Sequence, residues 1–332
     1  MRLHALADLA ALIQTSPGID AASAAQAAVR QDSLTKPPGS LGRLEELAIF
    51  MAGWRATPRP VIKKAQALIF AGNHGVCAQG VNPYPQDVTQ QMVLNFQRGG
   101  AAINQLCIAS GADLRVVPIM LDTPTADFTT GPAMTSEEML SAMNIGASAV
   151  DGNADVLILG EMGIGNSTVA SALVAAFFGG APPDWVGPGT GSDAAGIARK
   201  CAAVSKGLAL HGGRPALETL SRFGGREQAA ICGSILAARA SRIPVILDGF
   251  ICTAAASTLH VAHTGLLDHC LVGHVSAEPG HRRLLKELGK RPILELDMRL
   301  GEGSGAALAL GILRAALHCH NGMATFAEAG IS

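Results

Sequence analysis

Six short apolar runs constrain this chain more than any other feature: AQALIFA at 65, DLRVVPIM at 113, ADVLILG at 154, IPVILDG at 243, HCLVGHV at 269 and RPILELD at 291. Each is of strand length and rich in Val, Ile and Leu. None shows the polar alternation of a half-exposed sheet, so they read as buried parallel strands. Helical patterns such as SEEMLSAMNIGASAV and REQAAICGSILAARA separate them, and parallel neighbours need right-handed crossovers of that kind. The expected fold is α/β, with an open, doubly wound, mainly parallel, Rossmann-like sheet. Residues 1–55 and about 315–332 contain no strand and are expected to form a small helical subdomain, leaving 56–314 as the α/β domain that carries the site.

Composition agrees. Aromatic residues make up 4% and Gly contributes 39 residues, which suits close helix-to-sheet packing and tight βα turns rather than a β-sandwich. Lys and Arg number 25 against 26 Asp and Glu, so no net field draws nucleic acid or an acidic membrane. A small-molecule partner is expected. Seven cysteines without a C-x-x-C pair point to reduced thiols and a cytoplasmic setting. MRLHALADLAALIQ carries Asp8 inside its apolar run and reads as an amphipathic helix rather than a signal peptide. Two stretches free of formal charge follow Glu161 and Asp248; their Gly, Ser and Thr, with His260 and His263 in the second, mark them as buried helices and not membrane spans.

Polar residues gather just after the strands: Asn73 and His74, Glu161, Asp248, Ser276 and Glu278, then Arg299 and Glu302. In doubly wound sheets, ligands lie outside the strands' carboxyl ends, so this placement marks a site. GEMGIGNS, starting at Gly160, fits the phosphate-loop template G-x-x-x-x-G-K-[ST] except that Asn166 stands at the lysine position and Glu161 has entered the loop. The loop reads either as a phosphate monoester cradle built from backbone N–H groups or as a structural Gly-rich turn. LGEGSGAALALG holds a G-x-G-x-x-A match from Gly301 to Ala306, but it lies on the last strand with no βαβ unit after it, which excludes a dinucleotide fingerprint. Ser304 is not a nucleophile elbow, because Glu302 occupies the position two residues before it where Gly is required. Glu302 itself is consistent with a helix-start acid and with a catalytic carboxylate. His260, His263, His318 and His320 complete no familiar metal pattern. HRRLLKELGKR reads as a solvated basic helix face.

The segments DSLTKPPGSLGRLEELA, AGNHGVCAQGVNPYPQDVT, GEMGIGNST, VILDGF, HVSAEPG and MRLGEGSGAALAL, in this order, resemble the nicotinate-nucleotide:dimethylbenzimidazole phosphoribosyltransferase family of cobalamin biosynthesis. The likeness runs from about residue 30 to the end. It implies attack of a 5,6-dimethylbenzimidazole ring nitrogen on C1′ of nicotinate mononucleotide, giving α-ribazole 5′-phosphate and nicotinate without a metal or cofactor. It also implies a homodimer whose active sites are each completed by the neighbour's small domain. By the same resemblance Glu302 is the general base, Glu161 a second carboxylate near the ribose and bases, and Gly163, Ile164, Gly165 and Asn166 the phosphate cradle, assisted by Lys200. Asp248, Ser276 and Arg299 fall around the ribose and the pyridine carboxylate. Tyr84, Met92, Met162 and Leu300 are assigned to the base pocket. Asn73 departs from the Asp of some members, and Tyr84 and Met92 replace other side chains found there, which bears on which base is accepted. A transferase of this kind leaves the phosphate as a spectator handle, so a fixed lysine and magnesium are not required, whereas carboxylates suit the positive charge that develops on the ribose and heterocycle.

Overall fold

A computed structural model describes residue 12 and residues 14–331. The amphipathic helix read from the first fourteen residues lies outside the described residues apart from Leu12 and Gln14. Six parallel strands form one sheet in the order β2-β1-β3-β4-β5-β6: β1 Ala65–Ala71, β2 Ala112–Pro118, β3 Val156–Met162, β4 Val245–Leu247, β5 Cys270–His274 and β6 Pro292–Leu294. All six apolar runs of the sequence supply a strand.

The four inner strands are buried along almost their whole length, as continuous apolar runs require when both faces are covered. The two edge strands differ from that expectation: β2 alternates between half-buried and exposed positions, and β6 is half-buried throughout. Each has a neighbour on one side alone. Pro118, which has no N–H to give a ladder, is tolerated at the end of such an edge.

Successive side chains of a strand point to opposite faces, and the core divides accordingly. Leu68 and Phe70 of β1 pack on one face with Leu157, Leu159, Val245 and Leu247; Ala67 and Ile69 pack on the other with Val156, Ile158 and Ile246. Helix α1, Ala21–Ser33, leads into α2, Arg43–Arg55, which packs on the second face. That face is covered by α2, α3 Asp87–Gln97, α4 Ala102–Ser110 and α12 Ser304–Gly322. The first face is covered by α5 Ser136–Ala149, α6 Asn166–Phe178, α7 Ala194–His211, α8 Ala216–Phe223, α9 Arg226–Ala240, α10 Phe250–Ala262 and α11 Pro279–Glu287. This is a doubly wound α/β sheet. The two charge-free stretches are the buried helices α6 and α10, and no described helix is long and apolar enough to cross a membrane.

Several contacts tie the chain ends together. An antiparallel bridge joins Leu34 to Thr325, and Thr35 N–H donates to Ala324. Arg30 donates to the His320 carbonyl, while the buried His320 ring bonds to Gln31 and to the Pro58 carbonyl, a structural assignment for that histidine. Leu47, Ala48 and Met51 of α2 share one apolar cluster with Ala67, Ile69 and Ile158 of the sheet and with Leu310 and Leu313 of α12. The basic helix α11 is solvated on one face, where Arg282 pairs with Glu295; Arg283 lies over the Trp185 ring, 4.3 Å from its centroid.

Candidate active site

Because β2 and β3 lie on either side of β1, the chain leaves the sheet in opposite directions from adjacent strands, and a crevice opens at their carboxyl ends. The Gly-rich loop after β3 occupies it. Gly165 sits in the left-handed region at φ +93° and a Cβ there would lie 2.7 Å from Cys77 Sγ; a Cβ on Gly163 would lie 2.6 Å from the Gly72 carbonyl oxygen. The loop is therefore pressed against the segment that follows β1, and glycine is required twice for that approach. Cys77 Sγ donates to the Ile164 carbonyl at 3.2 Å, and Thr89 Oγ1 accepts the Ile164 N–H at 3.2 Å. Asn166 N–H returns to the Gly163 carbonyl. These bonds fix the loop and leave Gly163, Gly165 and Ser167 to supply donors at the start of α6, where the helix terminus favours an anion.

A cation reaches the loop from another helix. Lys200, on α7, is buried, with Nζ donating to the Gly187 carbonyl at 3.2 Å and to Ser167 Oγ at 3.3 Å. Burial lowers its pKa, and Glu278 opposes that shift. Glu278 accepts the Gly189 N–H at 2.8 Å through Oε1, while its buried Oε2 has no hydrogen-bond partner among the described residues. Burial raises its pKa, with Lys200 acting in the opposite direction. Arg299 reaches the Gly189 carbonyl at 3.5 Å. One end of the crevice thus holds a helix N-terminus, two cations and one carboxyl.

Carboxyl groups dominate the other end. Glu161, near the end of β3, is buried and accepts a hydrogen bond from Asn166 Nδ2, which is what the residue at the lysine position does. Its pKa is pushed well above the usual carboxylate range, first by burial and then by Asp248, Glu227 and Glu302. Glu302 lies in the second Gly-rich loop and is 7% exposed; burial, then Asp248, raise its pKa to about 7. A group with that value exchanges protons readily near neutrality, as a general base must. The two loops meet: a Cβ on Gly160 would lie 2.4 Å from Gly303 N, and one on Gly301 would lie 2.7 Å from Glu161 Oε1. Glu302 does not cap α12. The Gly303 and Ala306 N–H groups at that helix start are taken by Asp248, each at 3.0 Å.

One cavity is lined by Glu161, Met162, Gly163, Ile164, Gly165, Asn166, Lys200, Ser276, Arg299, Leu300 and Glu302, which brings together most of the residues singled out in the sequence. Asp248 lies behind its wall. Tyr84 and Met92 do not line it within one chain: Tyr84 is 48% exposed beside the rim residues Asn82 and Pro83, and Met92, on α3, packs against the core on the second face. His274, Glu278 and Ser167 do line it. Glu278 had a signal in the sequence, its place after a strand; His274, inside an apolar run, and Ser167, inside a helix start, had none that separated them from structural residues. Among the described residues, no group of three His, Cys, Asp or Glu side chains is placed to hold a metal ion.

A phosphoribosyltransferase family model, DBI_PRT, matches residues 16–331. The chain belongs to this family. It is 66% identical, over all of its length and 99% of the relative's, to a nicotinate-nucleotide--dimethylbenzimidazole phosphoribosyltransferase of Rhodobacter capsulatus. It is 58% identical to the enzyme of the same name from Ruegeria pomeroyi, covering 99% of both chains. The crystal structure of CobT from Thermus thermophilus superposes with a TM-score of 0.88 at 44% identity, over 94% of this chain and 99% of that one. An anion cradle at one end of the crevice and a poised carboxyl at the other suit a phosphoribosyltransferase, whose substrate carries the phosphate as a handle while bonds change at the sugar.

Proposed function

We propose that this chain transfers the 5-phosphoribosyl group from nicotinate mononucleotide to 5,6-dimethylbenzimidazole, giving α-ribazole 5′-phosphate and nicotinate for the lower ligand of cobalamin. The observation that carries the mechanism is Glu302, a buried carboxyl with its pKa raised to about 7 on the wall of the cavity that holds the anion cradle. The 5′-phosphate is held at the start of α6 by the loop amides and Lys200. The neutral benzimidazole nitrogen attacks C1′ as the bond to the pyridine nitrogen breaks, and the electron pair of that bond returns to nicotinate. The attacking ring is then cationic, and Glu302 takes the proton from its other nitrogen. Glu161, whose neutral form burial favours, is drawn toward its charged form by the positive pyridinium of the substrate and by the oxocarbenium-like ribose. Ser276, Arg299, Met162 and Leu300 line the same cavity; in this reading the first two accommodate the ribose and the pyridine carboxylate and the last two the base.

A homodimer with shared sites is part of this reading. Leu300 and Tyr84, each 48% exposed at or beside the cavity, leave an apolar wall that a second copy's small helical unit, residues 1–55 with about 315–332, would complete. The free thiols of all seven cysteines suit the cytoplasm. The test is to incubate the protein with nicotinate mononucleotide and 5,6-dimethylbenzimidazole and detect α-ribazole phosphate by mass. An N-ribosyl hydrolase would instead release ribose 5-phosphate with no base present, and that product would overturn the proposal.

A further inference from the structure

Glu302 is held in an unusual backbone. Gly301, Glu302 and Gly303 have φ of +82°, +62° and +77°, so three consecutive residues are left-handed and the middle one carries a side chain. For an L-residue this conformation costs roughly 1–2 kcal/mol and persists only where the surroundings impose it. The surroundings here are specific. Asp248 Oδ2 accepts the Gly303 N–H and Oδ1 the Ala306 N–H, both at 3.0 Å, so one carboxylate spans the turn that immediately follows Glu302. His274 Nε2 lies 3.4 Å from Asp248 Oδ1, and both side chains are 1% exposed. His274 is also a wedge: a Cβ on Gly305 would lie 2.0 Å from its Cδ2, and one on Gly249 would lie 2.8 Å from its Nε2.

We propose that the buried His274–Asp248 pair is the positioning element of Glu302: it clamps the left-handed loop from below and so fixes where the Glu302 carboxyl meets the attacking base. The inference rests on the general-base reading of Glu302 and adds two residues to it that act without touching the reacting atoms. Asp248 follows β4, His274 ends β5 and Glu302 precedes α12, so the sheet itself, through the pairing of β4 with β5, sets the clamp. A second consequence is electrostatic. The titratable or charged groups around the pair are Glu161 at the end of β3, Cys252 in α10, His281 in α11 and Arg299 upstream of Glu302. After burial, Asp248 is the charge that raises Glu302. A neutral residue at 248 therefore lowers the Glu302 pKa, and the rise of kcat/KM with pH moves to lower pH.

Three variants separate clamp from charge, and all are read against wild-type α-ribazole phosphate formation, whose absence would refute the general reading rather than this one. Asp248→Glu keeps the charge but its extra methylene cannot meet both amides without moving the loop. Displacement by about 1 Å costs on the order of 100-fold in rate. We expect kcat to fall by about that factor, nicotinate mononucleotide affinity by calorimetry to stay within about threefold, and the rising limb to remain at about 7. In Asp248→Asn one of the two accepting oxygens is replaced by an amide NH2 that faces a backbone N–H, so kcat falls similarly, and the rising limb shifts to lower pH. His274→Ala, which leaves both amide bonds and the charge but removes the wedge, lowers kcat less and keeps the limb in place. An Asp248→Glu protein with wild-type kcat, or an Asp248→Asn protein whose limb does not move, overturns the proposal. Should Asp248→Asn fail to fold, Asp248→Glu and His274→Ala still decide the clamp through kcat at unchanged nucleotide affinity.

Discussion

Replacing Glu302 by Gln keeps the shape of the side chain and removes its ability to take a proton. Positioned general bases contribute on the order of 10² to 10⁴ in rate, which corresponds to about 3 to 5 kcal/mol of barrier. Turnover should fall within that range while nicotinate mononucleotide binds with near-normal affinity, because the proposed phosphate contacts are the loop amides and Lys200, which bonds to Ser167 and not to Glu302. The pH dependence sharpens the test. With a pKa of about 7 the wild-type carboxylate gains roughly tenfold in population between pH 6 and pH 8, so kcat/KM should rise by about that factor and then level, whereas the mutant profile should be flat across this window. Stability moves the other way. The folded pKa lies above the usual 4.5, so the proton on Glu302 favours the fold at low pH and that stabilisation is lost as pH rises through about 7. The amide has no proton to lose; at pH 8 Glu302→Gln should melt at or above the wild-type temperature, and its advantage should shrink toward pH 5. Steady-state rates with both substrates, and calorimetric melting at pH 5 and pH 8, provide the measurements. Unchanged turnover together with a lower melting temperature at every pH would exclude Glu302 as the base, since that is the behaviour of an acid that serves only to start a helix.

Gly165→Val should weaken nicotinate mononucleotide binding at least tenfold, because the side chain would both adopt φ +93° and strike Cys77 Sγ; unchanged affinity by calorimetry in a folded protein would remove the loop from the site. Lys200→Met should cost roughly 10- to 100-fold in affinity for the nucleotide, as expected for one charge-assisted hydrogen bond, and leave nicotinate riboside, which lacks the phosphate, unaffected. Equal loss of nucleotide and nucleoside binding would place Lys200 away from the phosphate.

Much of this architecture was legible from local pattern. Near-continuous apolar runs mark β1 and β3 because a strand covered on both faces is apolar along most of its length. The glycines of GEMGIGNS mark a backbone that must turn sharply at a strand end, and a lone carboxyl at 302 among glycines marks a side chain placed there for chemistry or for capping. Pattern could not distinguish those two uses of Glu302. What only the fold adds is that two helix-start amides, those of Gly303 and Ala306, are occupied by Asp248, a residue more than fifty positions away. The edge strands show a related limit: Asp113 and Arg115 interrupt the apolar run of DLRVVPIM at alternate positions, but that β2 has a neighbour on one side only follows from strand order.

Periodicity and turn chemistry within about ten residues were thus enough to mark the strands and to pick out the Gly-rich loop that meets the cavity at their carboxyl ends. Everything else needed distant segments to meet. The order β2-β1-β3-β4-β5-β6 sets the two Gly-rich loops against each other at Gly160 and Gly303, brings Lys200 from a separate helix to Ser167 at the start of α6, and sets His274 beside Asp248, which in turn binds the turn after Glu302. Those contacts join positions far apart in the chain, and so does the electrostatics built on them: a carboxyl's pKa is set by its burial and by the charges the fold gathers around it, neither of which a neighbouring residue in sequence can supply.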